Sequence, residues 1–171
     1  MAAALAELAD GNLTVRLSHA FPTEYEGLRA DYNDAVAKLQ TTMTRIARCC
    51  CGHCAIEVTG EPAINAICHC RNCKARTGSA FGWSSYFDDD RIVRSVGDFA
   101  TYEIRGLHRQ VRSFCRQCGT TLFWKIPTMA GRTGIAGGCF TDAPLPEPSA
   151  TVSNDGRCAW LELPGHWATA L

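Results

Sequence analysis

Cys115-Arg116-Gln117-Cys118-Gly119 carries a C-x-x-C-G pattern, and two shorter clusters upstream answer it. Cys49-Cys50-Cys51-Gly52 holds a C-x-C-G, and Cys68-His69-Cys70-Arg71-Asn72-Cys73 holds a C-x-C-x-x-C. Thiolates two or three residues apart can close on one small, soft cation, and zinc prefers such ligands in a tetrahedron. Two clusters of two make one full site with four thiolates. The remaining cluster has three, which leaves a fourth position open. A filled four-thiolate site staples a fold, while a three-thiolate site with a vacancy can bind a substrate atom.

The first and third clusters each end in glycine, which lets backbone amides bend towards sulfur without a Cβ clash. Such knuckles, paired across a sheet, resemble a zinc ribbon. Cys49, Cys51, Cys115 and Cys118 are therefore assigned to one structural zinc, against the alternative of buried, unligated thiols. Cys68, Cys70 and Cys73 form the second site. His69 lies between two of these, but adjacent side chains point apart, so a packing role behind the site is expected of it. Arg71, Lys74 and Arg76 surround the cluster. Their charge favours thiolates and would draw an anionic substrate; the alternative is a solvated basic turn. Thr77-Gly78-Ser79 offers amides or hydroxyls to a ligand. Cys50 is expected to face away, Cys54 is a reserve ligand for the first site, and Cys139 and Cys158 are small core hydrophobes. Trp83, Trp124 and Trp160 are expected in the core. His53, His108 and His166 are isolated, and structural or exposed roles are expected of them.

Eleven cysteines could instead mean disulfides, but the count is odd and the chain of 171 residues exceeds a typical disulfide miniprotein. No signal peptide is expected from a start that lacks a basic region and carries Glu7 early. The reducing cytosol is the matching compartment. With 17 basic and 17 acidic residues the formal charge is zero, which argues for neither a nucleic-acid nor a membrane surface. No apolar run approaches the roughly 20 residues that span a bilayer.

The chain changes character near Arg48. Residues 1–45 read as a helical, cysteine-free extension and residues 46–171 as a mainly β domain. Thr23-x-x-Glu26 forms a capping box after Pro22. Tyr25, Tyr32, Leu39 and Ile46 then repeat every seven residues, with Leu28, Ala35 and Thr42 between them, as in a helical seam. A shorter helix around Leu5 and Leu8 stops at Asp10-Gly11-Asn12. Burying the seam calls for the β domain or a second copy of the chain, so homo-oligomerisation through this helix is expected. After Arg48, strands are expected at 55–59, 63–67, 81–87, 92–96, 99–104, 110–114 and 120–126, and more weakly at 132–140 and 150–153. Pro144, Pro146 and Pro148 make a stiff connector.

Residues 46 to about 165 resemble the glutathione-dependent formaldehyde-activating enzyme family, which includes the centromere protein V group. The resemblance rests on the three clusters, on Glu57-Val58-Thr59-Gly60-Glu61-Pro62, on Thr77-Gly78, on Phe114 and Thr120 flanking the third cluster, and on Trp160-Leu161. It implies an Mss4-like fold of β-sheets with one structural and one substrate-facing zinc, two per chain. It implies a carbon–sulfur lyase that joins formaldehyde to glutathione, giving S-hydroxymethylglutathione, with Cys68, Cys70 and Cys73 as the substrate-side ligands. Arg71, Lys74 and Arg76 would then hold the carboxylates of the thiol. No general base is identifiable. The rival reading is a non-catalytic zinc module that binds a thiol or a protein partner. Residues 4–43, with Leu8-Ala9-Asp10-Gly11-Asn12-Leu13-Thr14-Val15-Arg16-Leu17, resemble the second half of a HAMP linker from a methyl-accepting chemotaxis receptor.

Overall fold

The computed structural model describes residues 2–9, 13, 15–106 and 109–170. The chain divides into two compact units, Met1–Thr44 with Thr59–Glu61, and Arg45–Val58 with Pro62–Leu171.

In the first unit, helix α1 spans Ala2–Ala9 and helix α2 spans Glu26–Thr42. Asp10-Gly11-Asn12, the expected end of the first helix, lies outside the described residues. The expected capping box does not form. Pro22 occupies the cap position and Thr23 makes no cap bond, but the Glu26 carboxylate reaches back to accept the Phe21 N–H at 3.0 Å. Asn33 grips the Leu17 backbone from both sides, accepting its N–H at 2.9 Å and donating to its carbonyl at 3.1 Å. Leu17 and Val36 are buried, whereas Tyr25, Leu28 and Leu39 of the heptad seam are exposed. Ile46 does not continue that seam. The helix ends at Thr42, and Ile46 sits in a strand. The reason is local: Thr44-Arg45-Ile46-Ala47-Arg48 alternates in burial with a period of two and includes β-branched residues.

The second unit runs β1 (Thr44–Arg48), β2 (Ala55–Thr59), β3 (Ile64–Cys68), α3 (Arg71–Thr77), β4 (Gly82–Asp88), β5 (Ile92–Val96), β6 (Phe99–Ile104), β7 (Gln110–Cys115), β8 (Thr121–Lys125), β9 (Arg132–Ala136), β10 (Ala150–Val152) and β11 (Ala168–Ala170). The described residues form a three-stranded sheet, β1-β2-β5, and an eight-stranded sheet, β11-β10-β3-β4-β9-β8-β7-β6. The centre of the larger sheet is antiparallel, and β10 joins β3 in parallel. Ala47, Ile56 and Val58 from the small sheet pack with Phe87, Leu122 and Ile135 from the large one to make the core.

Two departures from the expected strands have plain causes. The expected strand at 132–140 stops at Ala136, where the chain enters a tight helical turn over Gly137–Cys139, and at Gly137 the backbone runs so close to the Trp83 ring that a Cβ would lie 2.3 Å from it. The segment after the second cluster, for which no helix is expected and a solvated basic turn is the alternative reading, is a helix, α3. The Cys70 sulfur caps it by accepting the Cys73 N–H, and Gly78 ends it in the left-handed region. Gly78 donates its N–H to Lys74 O and the Thr77 hydroxyl lies 2.8 Å from Phe81 O, so both groups serve the end of α3.

Gly97, between β5 and β6, has φ +113°, and a Cβ there would lie 2.6 Å from the His53 carbonyl and 2.7 Å from Cys54. This turn presses directly on the first cysteine knuckle. Gly97→Ala should therefore lower stability by about 3 kcal/mol in denaturant unfolding and weaken metal retention at the first knuckle, while Gly138→Ala, which meets open space, should do neither.

Candidate metal centres

The first and third clusters fold as matching knuckles. Gly52 donates to Cys49 O and Gly119 to Cys115 O, each at 2.9 Å, with φ of +75° and +73°. Cys49 donates to Cys54 O at 2.9 Å, and Cys115 to Thr120 O at 3.0 Å. Two loops of six residues are thus closed in the same way, once between β1 and β2 and once between β7 and β8, with the glycine three positions after the first cysteine in one and four in the other. The sulfurs of Cys49, Cys51, Cys115 and Cys118 lie within 4.8 Å of one another. Cys49 and Cys51 are 3.5 Å apart, and Cys51 and Cys115 are 3.8 Å apart. Four thiolates about 2.3 Å from a tetrahedral zinc stand about 3.8 Å apart, so the donor set and its spacing fit that ion. The hydroxyl and the backbone N–H of Thr120 draw the Cys118 thiol down to about 5. Cys54 stays outside the group. Burial pushes its thiol up to about 12, and it donates to Asp98 O at 3.3 Å. Cys50 is exposed, as expected. No cysteine is in a disulfide.

The second cluster sits where β3 hands over to α3. Cys68 closes the strand, Cys70 caps the helix and Cys73 lies in its first turn. Their three sulfurs also lie within 4.8 Å of one another. The Cys73 thiol beside Cys68 draws Cys68 down to about 5, and the same contact pushes Cys73 up. Three thiols this close cannot all ionise unless a cation joins them. The donor chemistry again fits zinc, with one position left for a ligand. The Ser153 hydroxyl lies 3.9 Å from the Cys68 sulfur, and Ser153 (φ +55°) is the one described non-glycine residue with positive φ. His69 turns away from the cluster. It is wholly buried, its Nε2 pairs with the Thr151 hydroxyl at 3.2 Å, and its edge meets Phe81.

A cavity of about 390 Å³ opens beside these three cysteines. Of the three basic residues singled out in sequence, Arg76 lines it. Its guanidinium lies 4.0 Å over the Trp124 ring and donates to Ser84 Oγ at 3.3 Å. Lys74 is tied to Gly156 O at 2.8 Å, and Arg71 is exposed and outside the lining. Arg112, Tyr86 and Gln110 were not singled out in sequence. Arg112 holds Asn72 Oδ1 at 2.8 Å and Gln110 Oε1 at 2.9 Å, which fixes the start of α3 against β7. Trp124, expected in the core, is 2% exposed and lines the cavity as well. Trp160 is 74% exposed and does not join the core. His53 and His166 are exposed, and His108 lies outside the described residues.

Tyr86, Gly134, Trp124 and Arg112 are direct neighbours across β4, β9, β8 and β7. Trp124 Nε1 donates to the Tyr86 hydroxyl at 3.1 Å. A Cβ on Gly134 would lie 2.3 Å from that nitrogen, so the bare glycine makes room for the pair. Burial raises the Tyr86 phenol, which keeps it protonated at neutral pH. Of this row the sequence singles out Trp124 alone, as a core residue, because only the strand register aligns the four.

The family model described as the glutathione-dependent formaldehyde-activating enzyme matches residues 44–154. The chain belongs to this family. Its mainly β fold, with a helical segment before it in sequence, is the Mss4-like type that the family implies. Among solved structures, the crystal structure of a Rhodobacter sphaeroides protein is 21% identical with a TM-score of 0.46, over 58% of this chain and 88% of that one. No curated protein matches the sequence. Among the described residues, no helix is long and apolar enough to cross a membrane.

Elemental analysis of the purified family member should find two zinc ions per chain. A chelator should remove one well before the other, since an open coordination position admits the competitor. A single tightly held ion would show that only one cluster is a site.

Proposed function

We propose that this protein is a zinc-dependent carbon–sulfur lyase that makes and breaks the adduct of a small thiol and a small aldehyde, with glutathione and formaldehyde as the pair. The observation that carries this reading is a three-cysteine cluster opening on a cavity of about 390 Å³, within a chain whose family is described by that thiol and that activation. Cys68, Cys70 and Cys73 would hold the reactive zinc, and Cys49, Cys51, Cys115 and Cys118 the structural one. Zinc at the three-cysteine site supplies a Lewis acid that lowers the proton affinity of a thiol brought to it.

The chain's own residues then have distinct tasks. Arg76, fixed over Trp124, presents positive charge to the carboxylates of the thiol. Arg71 and Lys74 contribute a more distant positive field, with Lys74 holding the loop at Gly156. Arg112 keeps α3, and with it Cys70 and Cys73, in register with β7. Tyr86, Trp124, Ile126 and Pro127 give the cavity an apolar wall that limits water around the reacting groups. Eleven cysteines free of disulfides suit a reducing, cytoplasmic setting. The exposed Tyr25, Leu28 and Leu39 support self-association through α2.

The test compares Cys70→Ser with Cys115→Ser. Cys70→Ser should stay folded, hold one zinc fewer and lose all acceleration of exchange between glutathione and its formaldehyde adduct, followed by NMR. Cys115→Ser should unfold at much lower temperature, because a structural zinc is itself folding free energy. Equal thermal destabilisation by both would show that the clusters have been divided wrongly. Metal loading and thiol exchange unaffected in Cys70→Ser would show that the three-cysteine cluster is not the reactive site, and a wild-type protein that binds glutathione without accelerating exchange would leave a binding module.

Residues 1–42 contribute no cysteine. Their removal should leave zinc content and exchange activity unchanged and lower the oligomeric state in light scattering. Loss of zinc on truncation would place the helix within the folding unit of the zinc domain.

A further inference from the structure

We propose that the Tyr86 hydroxyl is the hydrogen-bond donor to the carbonyl oxygen when thiol adds to aldehyde. This rests on the lyase reading above. Tyr86 projects from β4 into the same cavity as Cys68, Cys70 and Cys73. Its oxygen is already engaged, accepting from Trp124 Nε1 at 3.1 Å. A phenol has one O–H, and none of the hydrogen bonds among the described residues spends it. An N–H that donates to the phenol oxygen also polarises the O–H and makes it a stronger donor.

The placement is held from three sides. Arg76 lies on the Trp124 ring and is itself anchored on Ser84. Gly134 leaves the space that the Tyr–Trp pair occupies, since a Cβ there would meet Trp124 at 2.3 Å and Tyr86 Cε1 at 2.8 Å. The two rings meet edge to face, at 6.1 Å and 87°. Beyond the hydroxyls of Ser153 and Thr128, which line the cavity on separate loops, the larger polar side chains are tied to neighbours. Arg76 is bonded to Ser84, Gln110 accepts from Arg112, and Arg109 is exposed and paired with Glu103.

The chemistry that needs such a donor balances without oxidant or reductant. The thiol gives up its proton, and its sulfur forms a bond to the carbonyl carbon. The π pair of the C=O moves onto oxygen. That oxygen takes one proton, so thiol plus aldehyde equals hydroxymethyl thioether. Charge develops on the oxygen during bond formation, and a fixed neutral donor stabilises it there without reorganisation. In the reverse direction the same hydrogen bond steadies the oxygen as the carbon–sulfur bond breaks.

The test is Tyr86→Phe in the full chain, with zinc content, near-ultraviolet circular dichroism and the affinity for glutathione alone measured beside the exchange rate. The expected result is a kcat about 100-fold lower, with two zinc ions retained and glutathione affinity unchanged. A kcat equal to wild type would overturn the role of Tyr86 and leave the lyase reading standing. A wild-type protein without exchange activity would overturn the lyase reading, and the role of Tyr86 with it. Should Tyr86→Phe fail to fold, Trp124→Phe decides. It keeps the phenol and a ring under Arg76 but removes the N–H donor. A partial fall in kcat at constant glutathione affinity supports the proposal, and an unchanged kcat overturns it.

Discussion

Four sulfurs drawn from two different sheets meet within 4.8 Å, and the β domain is organised around that junction. Cys49 and Cys51 stand on the loop of the small sheet, and Cys115 and Cys118 on the loop of the large one. The buried core lies between the same two sheets, with Cys49, Cys54 and Cys115 among its members. Hydrophobic burial brings the layers together but is indifferent to small slips. Thiols converging at tetrahedral spacing are not. They fix which residue of one sheet stands over which residue of the other, and they do so at the ends of β1 and β7, where sliding would begin.

That fixed register lets the second site be built from a flat row. Tyr86, Gly134, Trp124 and Arg112 come from four separate strands and meet only because β4, β9, β8 and β7 are aligned residue for residue. The three cysteines of the second cluster are arranged differently. They lie within six residues of sequence, at a strand end and a helix cap, and owe their closeness to local backbone geometry. The candidate active site therefore joins a local half, which holds metal ligands, to a non-local half, which shapes the space in front of them.

This division also explains what could be read from sequence. The cysteine clusters were legible because ligand spacing is a short-range signal, and the strands at 55–59, 92–96 and 99–104 because the turn residues that bracket them, Gly60-Glu61-Pro62 and Gly97-Asp98, are too. Ile46 misled because a seven-residue spacing carried on across the end of α2, although Thr44–Arg48 had already changed to a period of two. α3 was hidden because its cap is a cysteine sulfur in place of the usual hydroxyl or carboxylate. Arg71 and Lys74 looked equivalent to Arg76 in a basic segment, and only the helical turn separates the one that faces the cavity. Tyr86 and Gly134 had no local signature at all, since their meaning lies in register between strands 48 residues apart in number.

The parallel pairing of β10 with β3 sets Ser153 beside Cys68 from far along the chain. On a ribosome this imposes an order of assembly. The cluster at 68–73 is complete as soon as its own segment has emerged. The four-thiol junction must wait for Cys118, and the side of the cavity at Cys68 stays bare until Ser153 follows. A reactive trio of thiols thus exists before the walls that will confine it. The nascent chain passes through a period in which its one complete thiol cluster has no walls around it, and a metal ion captured there early would protect those sulfurs from oxidation until the last strands arrive.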